Sequence, residues 1–444
     1  MYIHDPALSL FPDPARRRWR RRSLLSLDRS LRALGNRLHV FTGSTREIFQ
    51  RIARHVQAEK IYAYRGLTGE ERALEELLSR NLSDKGLQLR LTGFDMLFPP
   101  DRASEGRPFP WKVFTPYYRF CRNAFLPETP LPAPSKIDPL PHLPLLSGEE
   151  VVNGGGQGSD DSLSLIGFEP GEGGALHRFR EFLEAGFSGY ASRRDCPGEP
   201  STSRLSPHLS AGEIGVRDLV RKVGESDAPE DDRRKFLEEL GWREFSAHLL
   251  FYHPEMPNEP LREEFAAFEW NSDEAGFLAW GQGQTGIPFV DAGMRELAET
   301  GWMHNRARMV AASFLVKNLG ISWQAGERWF AEHLLDFDPA NNAASWQWVA
   351  GCGTDAAPFF RIVNPVLQGQ RHDPFGRYVR HFIPELASVP DRRIHTPKIR
   401  VSSKRPDSEE WRLDYPEPLV DLSASRKAAL RRFGMIRRSP SPSP

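Results

Sequence analysis

At 444 residues the chain is long enough for two domains with cores of their own, and its 39% hydrophobic and 27% charged residues are the balance of a soluble globular protein. Lys+Arg and Asp+Glu each total 59, so no global charge draws it to nucleic acid, although a local basic groove on a neutral protein still can. No apolar run reaches the roughly 18 residues of a membrane span, and the start, Met1-Tyr-Ile-His-Asp-Pro, has no apolar signal core. Three widely separated cysteines, Cys121, Cys196 and Cys352, exclude a disulfide framework and a four-cysteine iron–sulfur cluster, and imply a reducing, cytoplasmic setting.

In chain order, Tyr2–Asp5 reads as a strand. Residues 15–34 read as an amphipathic helix, with Leu24, Leu27, Leu31 and Leu34 at helical spacing and Gly35 as its stop. The basic run Arg16-Arg-Arg-Trp-Arg-Arg-Arg inside it is either a nucleic-acid patch or, as we read it, a solvated helix start. A strand at Leu38–Thr42, a helix at Arg46–Gln57, a strand at Lys60–Tyr64, a helix at Glu70–Lys85 and a strand at Leu87–Leu91 follow. This alternation predicts a parallel α/β domain over 1–126. Prolines crowd Pro127–Pro144 and Gly154-Gly-Gly-Gln-Gly comes next, so 127–174 reads as a linker. Residues 175–434 read as all-helical, and 435–444, ending Ser-Pro-Ser-Pro-Ser-Pro, as a disordered tail.

Four segments of the helical part carry chemistry. Gly189-Tyr-Ala-Ser-Arg-Arg-Asp precedes Thr202-Ser-Arg-Leu-Ser-Pro, whose hydroxyls at Thr202, Ser203 and Ser206 suit either a phosphate or a helix cap before Pro207. In Phe236-Leu-Glu-Glu-Leu-Gly-Trp-Arg-Glu-Phe, a helix would set Glu239, Trp242, Arg243 and Ser246 on one face, as a flat polar-edged ligand or an ordinary surface ion pair requires. Gly301-Trp-Met-His-Asn-Arg-Ala-Arg-Met holds two arginines that call for anions, while His304 reads as a structural histidine. The segment from Leu335 to Pro365 is the most specific. It packs Asp336, Asp338, Asn341, Asn342, Trp346 and Trp348 into one stretch, where buried polar groups would each need a partner. No metal-ligand spacing occurs near these segments.

These four segments, in this order, resemble the photolyase/cryptochrome family over residues 2 to about 434, the linker apart. The resemblance implies an α/β Rossmann-like N-terminal domain and an all-α C-terminal domain binding FAD without a covalent bond. By matching position it implies that Tyr190, Thr202, Ser203, Arg204, Leu205 and Ser206 line the FAD phosphates. Phe236, where many members have Trp, Arg243, Arg308, Asp336, Phe337, Asp338 and Asn342 would complete the cofactor contacts, Asn342 opposite flavin N5. Glu239, Trp242, Asn342, Met309 and Trp348 would do the catalytic work around a flipped pyrimidine dimer. Trp346, Trp323 and Trp270 match the electron relay, and Trp280 and Trp302 packing positions. Arg194, Glu239, Trp242, Asn305, Arg306, Arg361 and Gln368 fall near DNA.

The implied activity is a carbon–carbon lyase reaction: light-driven splitting of cyclobutane pyrimidine dimers in UV-damaged DNA, by a monomer. A single histidine in His304-Asn305-Arg306 separates the chain from the branch that repairs (6-4) photoproducts, which carries a histidine pair. With Asn342, the cysteine count and the short tail, this points to class I. A cryptochrome that signals without repair, or an inactive truncated flavoprotein, are the alternatives. Met1-Tyr-Ile-His-Asp-Pro matches the family's second strand, so a first βα unit of roughly thirty residues is expected to be missing. The antenna chromophore, folate or deazaflavin, is unknown: Tyr252-His-Pro-Glu is followed by Met256 and Pro257 in place of the Cys-Lys pair of folate-binding members, and a deazaflavin or no antenna is equally open.

Overall fold

The computed structural model describes residues 2–4, 14–83, 86–125, 131–138, 167–355, 361–397 and 414–436. The linker segments 126–130 and 139–166, and the tail from 437, lie outside the described residues. Two compact units emerge from the packing: residues 1–184 with 203–255, and residues 185–202 with 256–444. The composition boundaries at 126 and 174 follow local sequence and these units follow contacts, so they are different divisions of the chain.

The first unit opens with the alternation read from the sequence: β1 (Tyr2–His4), α1 (Pro14–Ala33), β2 (Val40–Thr42), α2 (Thr45–Val56), β3 (Lys60–Ala63), α3 (Gly69–Ser83) and β4 (Gln88–Leu91). The strands form two separate parallel pairs, β1 with β2 (Ile3 opposite Phe41) and β3 with β4 (Ile61 opposite Leu89). Each pair is linked by a crossover carrying a helix, as parallel neighbours require. Leu78, Leu82 and Leu87 are buried beneath Phe49, Ile61 and Leu89, so α2 and α3 cover β3 and β4 with their apolar faces. Gly35 ends α1 with φ 89°, a left-handed turn that glycine adopts without a Cβ clash.

The leucine stripe of α1 is only partly covered, with Leu24, Leu31 and Leu34 half-buried. Leu27 remains 47% exposed, whereas Arg18 and Trp19 are buried. The Trp19 indole donates to Glu213 Oε1 at 2.9 Å and packs edge-on to His208 and Phe168. Within the basic run Arg18 and Trp19 form a docking point, while Arg17, Arg20 and Arg22 remain exposed, as a solvated helix start requires. Helical periodicity tells which residues share a face; which face is covered depends on what packs there.

The same unit ends in the 23-residue helix Glu230–Tyr252, which packs on the Pro100–Ala103 and Phe114–Ala124 helices. The second unit is helical, with no strand among its described residues. Its core runs from Phe265 to Ile436 and is built on Trp280, Phe314, Leu315, Trp323 and Trp346, all nearly inaccessible. Several of its helices begin on polar caps. Asp338 accepts from Asn341 N ahead of Pro339, and Asn364 accepts from Val366 N and Leu367 N ahead of Pro365. Met435 and Ile436, placed in the tail by composition, finish the last helix, Leu422–Ile436.

Candidate functional site

In the second unit the Asn305–Ser313 helix, the turn at 334–338 and the Pro339–Ala350 helix bring together Arg308, Asp336, Phe337, Asp338 and Asn342. Arg308 donates from Nε to Met303 O and from Nη2 to Asp336 Oδ2, both at 2.7 Å. Asp336 is buried, and its other oxygen, Oδ1, is buried with no hydrogen-bond partner. A buried acceptor left open beside a committed ion pair costs folding energy unless a ligand donates to it. Asn342 donates from Nδ2 to both the backbone O and Oε1 of Glu327, at 3.0 and 2.7 Å. Both amide hydrogens are thereby committed, and the group Asn342 still offers is its Oδ1, an acceptor. Burial pushes the Glu327 carboxyl up, against the Asn342 hydrogen bond. Asp338 spends Oδ1 as a helix cap, Phe337 packs at the rim of the core, and Tyr190, buried, starts a short helix under the Arg194 guanidinium. These acceptors, and the cationic Arg308, fit the N–H groups and negative charge of a reduced flavin.

The tryptophans grade in exposure. Trp346 and Trp323 are buried and Trp270, stacked at a tilt on Phe268, is partly exposed, the order a surface-to-interior relay requires. Trp346 also touches Phe330 and Trp280 edge-on. Trp280 donates to Ala311 O from a fully buried position and Trp302 is buried beside His304, as packing residues do. His304 is a structural histidine: Nδ1 accepts from Arg306 N, and burial pulls its pKa down to about 4.

Of the DNA-directed residues, Asn305 and Arg361 are exposed, and Arg194, Arg306 and Gln368 are half-buried. Arg306 pairs with Asp195 at 2.5 Å. Burial raises the Asp195 carboxyl, but Arg306, aided by Arg194 and His372, holds it below its ordinary range. Met309 and Trp348 are half-buried, and Asn305 Nδ2 lies 3.8 Å from Met309 Sδ.

The remaining predicted residues sit in the first unit, with Thr202 at the edge of the second. Leu205 N donates to Ser203 Oγ at 3.4 Å, and no side chain caps the short Ser206–Ser210 helix, so the capping reading of these hydroxyls fails. Arg204 has a left-handed backbone (φ 50°) and lies over Phe168. On the Glu230–Tyr252 helix, Phe236 is buried against Phe182. Glu239 pairs with Lys235 at 3.2 Å, and Trp242 stacks on Phe114. Arg243 Nη1 donates to the fully buried Glu244 at 2.7 Å. Sequence reasoning missed Glu244 and Glu327. A glutamate on a helix looks like any surface glutamate until its neighbours are known.

The family profile described as "FAD binding domain of DNA photolyase" matches residues 236–435, and that described as "DNA photolyase" matches residues 1–135. The deoxyribodipyrimidine photo-lyase of Thermus thermophilus is 39% identical over 435 residues, covering 97% of this chain and 91% of its own. This chain belongs to the DNA photolyase family. The two-domain architecture expected from the family, mixed α/β then helical, holds, and FAD is its cofactor. The crystal structure of a bacterial class III photolyase from Agrobacterium tumefaciens superposes with a TM-score of 0.90 at 37% identity, covering 99% of this chain and 92% of that one. A cryptochrome from Synechocystis gives 0.86 at 30% identity, covering 97% and 92%. The class I assignment is therefore withdrawn, since the similar structure is class III. That assignment rested on the lone histidine, Asn342, the cysteine count and the short tail, and these do not carry it against the likeness to a class III structure.

Among the described residues, no helix is long and apolar enough to cross a membrane and no group of three His, Cys, Asp or Glu is placed to hold a metal ion.

Proposed function

We propose that this chain uses light and FAD to split cyclobutane pyrimidine dimers in UV-damaged DNA, acting as a monomer in the cytoplasm. The observation that carries the reading is the open, buried Oδ1 of Asp336 next to the Arg308 pair, in the segment matched by the FAD-binding profile. When bound, reduced FAD supplies light-driven one-electron transfer to the dimer and receives the electron back. Asp336 and Asn342 would accept from the ring, Arg308 would balance its charge, and Tyr190, Thr202 to Ser206, Phe236, Arg243, Phe337 and Asp338 would hold the remainder. A dimer within a duplex is out of reach, so it is flipped out at low cost because it stacks poorly. Glu239 then offers it a polar anchor, and Trp242, Met309 and Trp348 apolar walls. Arg194, Asn305, Arg306, Arg361 and Gln368 meet the strand, which makes affinity fall with salt. Trp346, Trp323 and Trp270 recharge an oxidised cofactor.

The test is illumination of the flavin-loaded, chemically reduced protein with oligonucleotides carrying one cyclobutane dimer or one (6-4) photoproduct. Repair of the first and not the second is expected, and Asp336→Ala should purify largely free of flavin. Flavin binding without repair of either lesion would overturn the reading in favour of a signalling cryptochrome.

A further inference from the structure

The helix that carries Glu239 and Trp242 contains a glycine in its interior, Gly241, where glycine is disfavoured on local grounds. Space explains it. A Cβ at Gly241 would lie 2.5 and 2.6 Å from two ring carbons of Tyr118. Tyr118 stacks on Phe114 (centroids 5.4 Å apart, planes at 13°), and Phe114 stacks on Trp242 (3.7 Å, 10°). Three rings from two helices thus lie nearly parallel, with Trp242 at the end, half-exposed. The helix beneath cannot roll. The fully buried Glu244 accepts from Leu97 N and Phe98 N at 2.7 and 3.0 Å, and one turn on, His248 accepts from Trp111 N at 3.2 Å.

We propose that Phe114, backed by Tyr118 and given room by Gly241, is a positioning shelf that fixes the tilt of Trp242 before the dimer arrives. The inference rests on the reading of Trp242 as a wall for the dimer. Phe114 need not touch the lesion. Its stacking removes the rotational freedom that Trp242 would otherwise lose on binding, so the shelf acts on affinity for the flipped dimer and not on the electron-transfer step.

The experiment uses the full chain loaded with reduced FAD, and measures KM for dimer-containing DNA, kcat in saturating light, flavin content and affinity for undamaged DNA. Phe114→Leu is expected to raise KM roughly fivefold, leaving the other three readouts close to wild type. Phe114→Tyr, which keeps the ring, should restore KM. Tyr118→Leu should shift KM in the same direction by less, and decides the matter if Phe114→Leu fails to fold. Trp242→Leu is the control. If it raises KM while neither Phe114→Leu nor Tyr118→Leu does, the shelf is overturned and the wall reading stands. If Trp242→Leu leaves KM unchanged, the wall reading fails and the shelf with it. A fall in kcat, flavin and undamaged-DNA binding together, without rescue by tyrosine, would make Phe114 a folding residue only.

Discussion

Asn342 and Asp336 acquire their tasks from what their neighbours leave unused. Glu327 takes both amide hydrogens of Asn342, and Arg308 takes one oxygen of Asp336, so each presents a single acceptor atom. The polar cluster from Asp336 to Asn342 is legible in the sequence because so many polar side chains in a short stretch of a helical domain need partners. Glu327 is not, because its role is created by a contact with another helix. The same residue-scale logic applies to the relay. Trp346 and Trp323 are buried and Trp270 is partly exposed, which is compatible with the proposed route from the surface inward. Trp346→Phe should abolish photoreduction of oxidised FAD in the presence of an external reductant, while chemically reduced protein repairs dimers at its usual rate. Transient absorption under blue light checks this, and photoreduction at the native rate would remove Trp346 from the path.

Between elements, close approach is set by glycine. Gly326 lies in the Trp323–His333 helix, and a Cβ there would fall against Cη2 and Cζ3 of Trp346 and Cδ2 of Leu315, nearer than atoms approach. Gly326→Ala should therefore either push Trp346 off its position or separate the two helices, at a cost of about 1–3 kcal/mol. Thermal unfolding and photoreduction rate, read together, check it: a variant as stable and as photoreducible as wild type would show that the helices can give way freely. The strands and helices up to Leu91 were legible to within a few residues from periodicity and turn residues, as with Gly35 after α1, whereas the Phe114–Ala124 helix was not read. The docking of α1 through Arg18 and Trp19 was not, because Glu213 and His208, which receive Trp19, lie far along the chain.

Across the molecule, buried histidines weaken the fold in acid. Burial lowers the pKa of both His248 and His304 to about 4 from 6.5. Each is neutral in the fold, while the unfolded chain takes up its proton below about 6.5. Stability is therefore lost as pH falls from 6.5 towards 4 and levels off below, by at most about 3 kcal/mol per histidine. Glu244 and Glu327, raised by burial, work in the opposite sense, because the folded state binds their protons first. The effect of one histidine is isolated by comparing wild type with His248→Gln, whose amide oxygen can still accept from Trp111 N. The stability gap between them should narrow from pH 7 to pH 4.5 in urea unfolding. A gap independent of pH would mean that His248 is not held neutral.

The sequence by itself determined the family, the alternation of strands and helices and the FAD cofactor, because these are written in local spacing and in ordered motifs. The tertiary structure decided how those residues are held. It set Glu327 on Asn342, Phe114 on Trp242, Leu97 and Phe98 on Glu244, and Trp19 into the core of its unit. It also joined the four strands as two separate parallel pairs. Each of these is a contact between residues distant in sequence. Spacing along a chain fixes which side chains share a face of one element, whereas the partner of that face is chosen by packing and by the cost of leaving a buried polar atom unpaired.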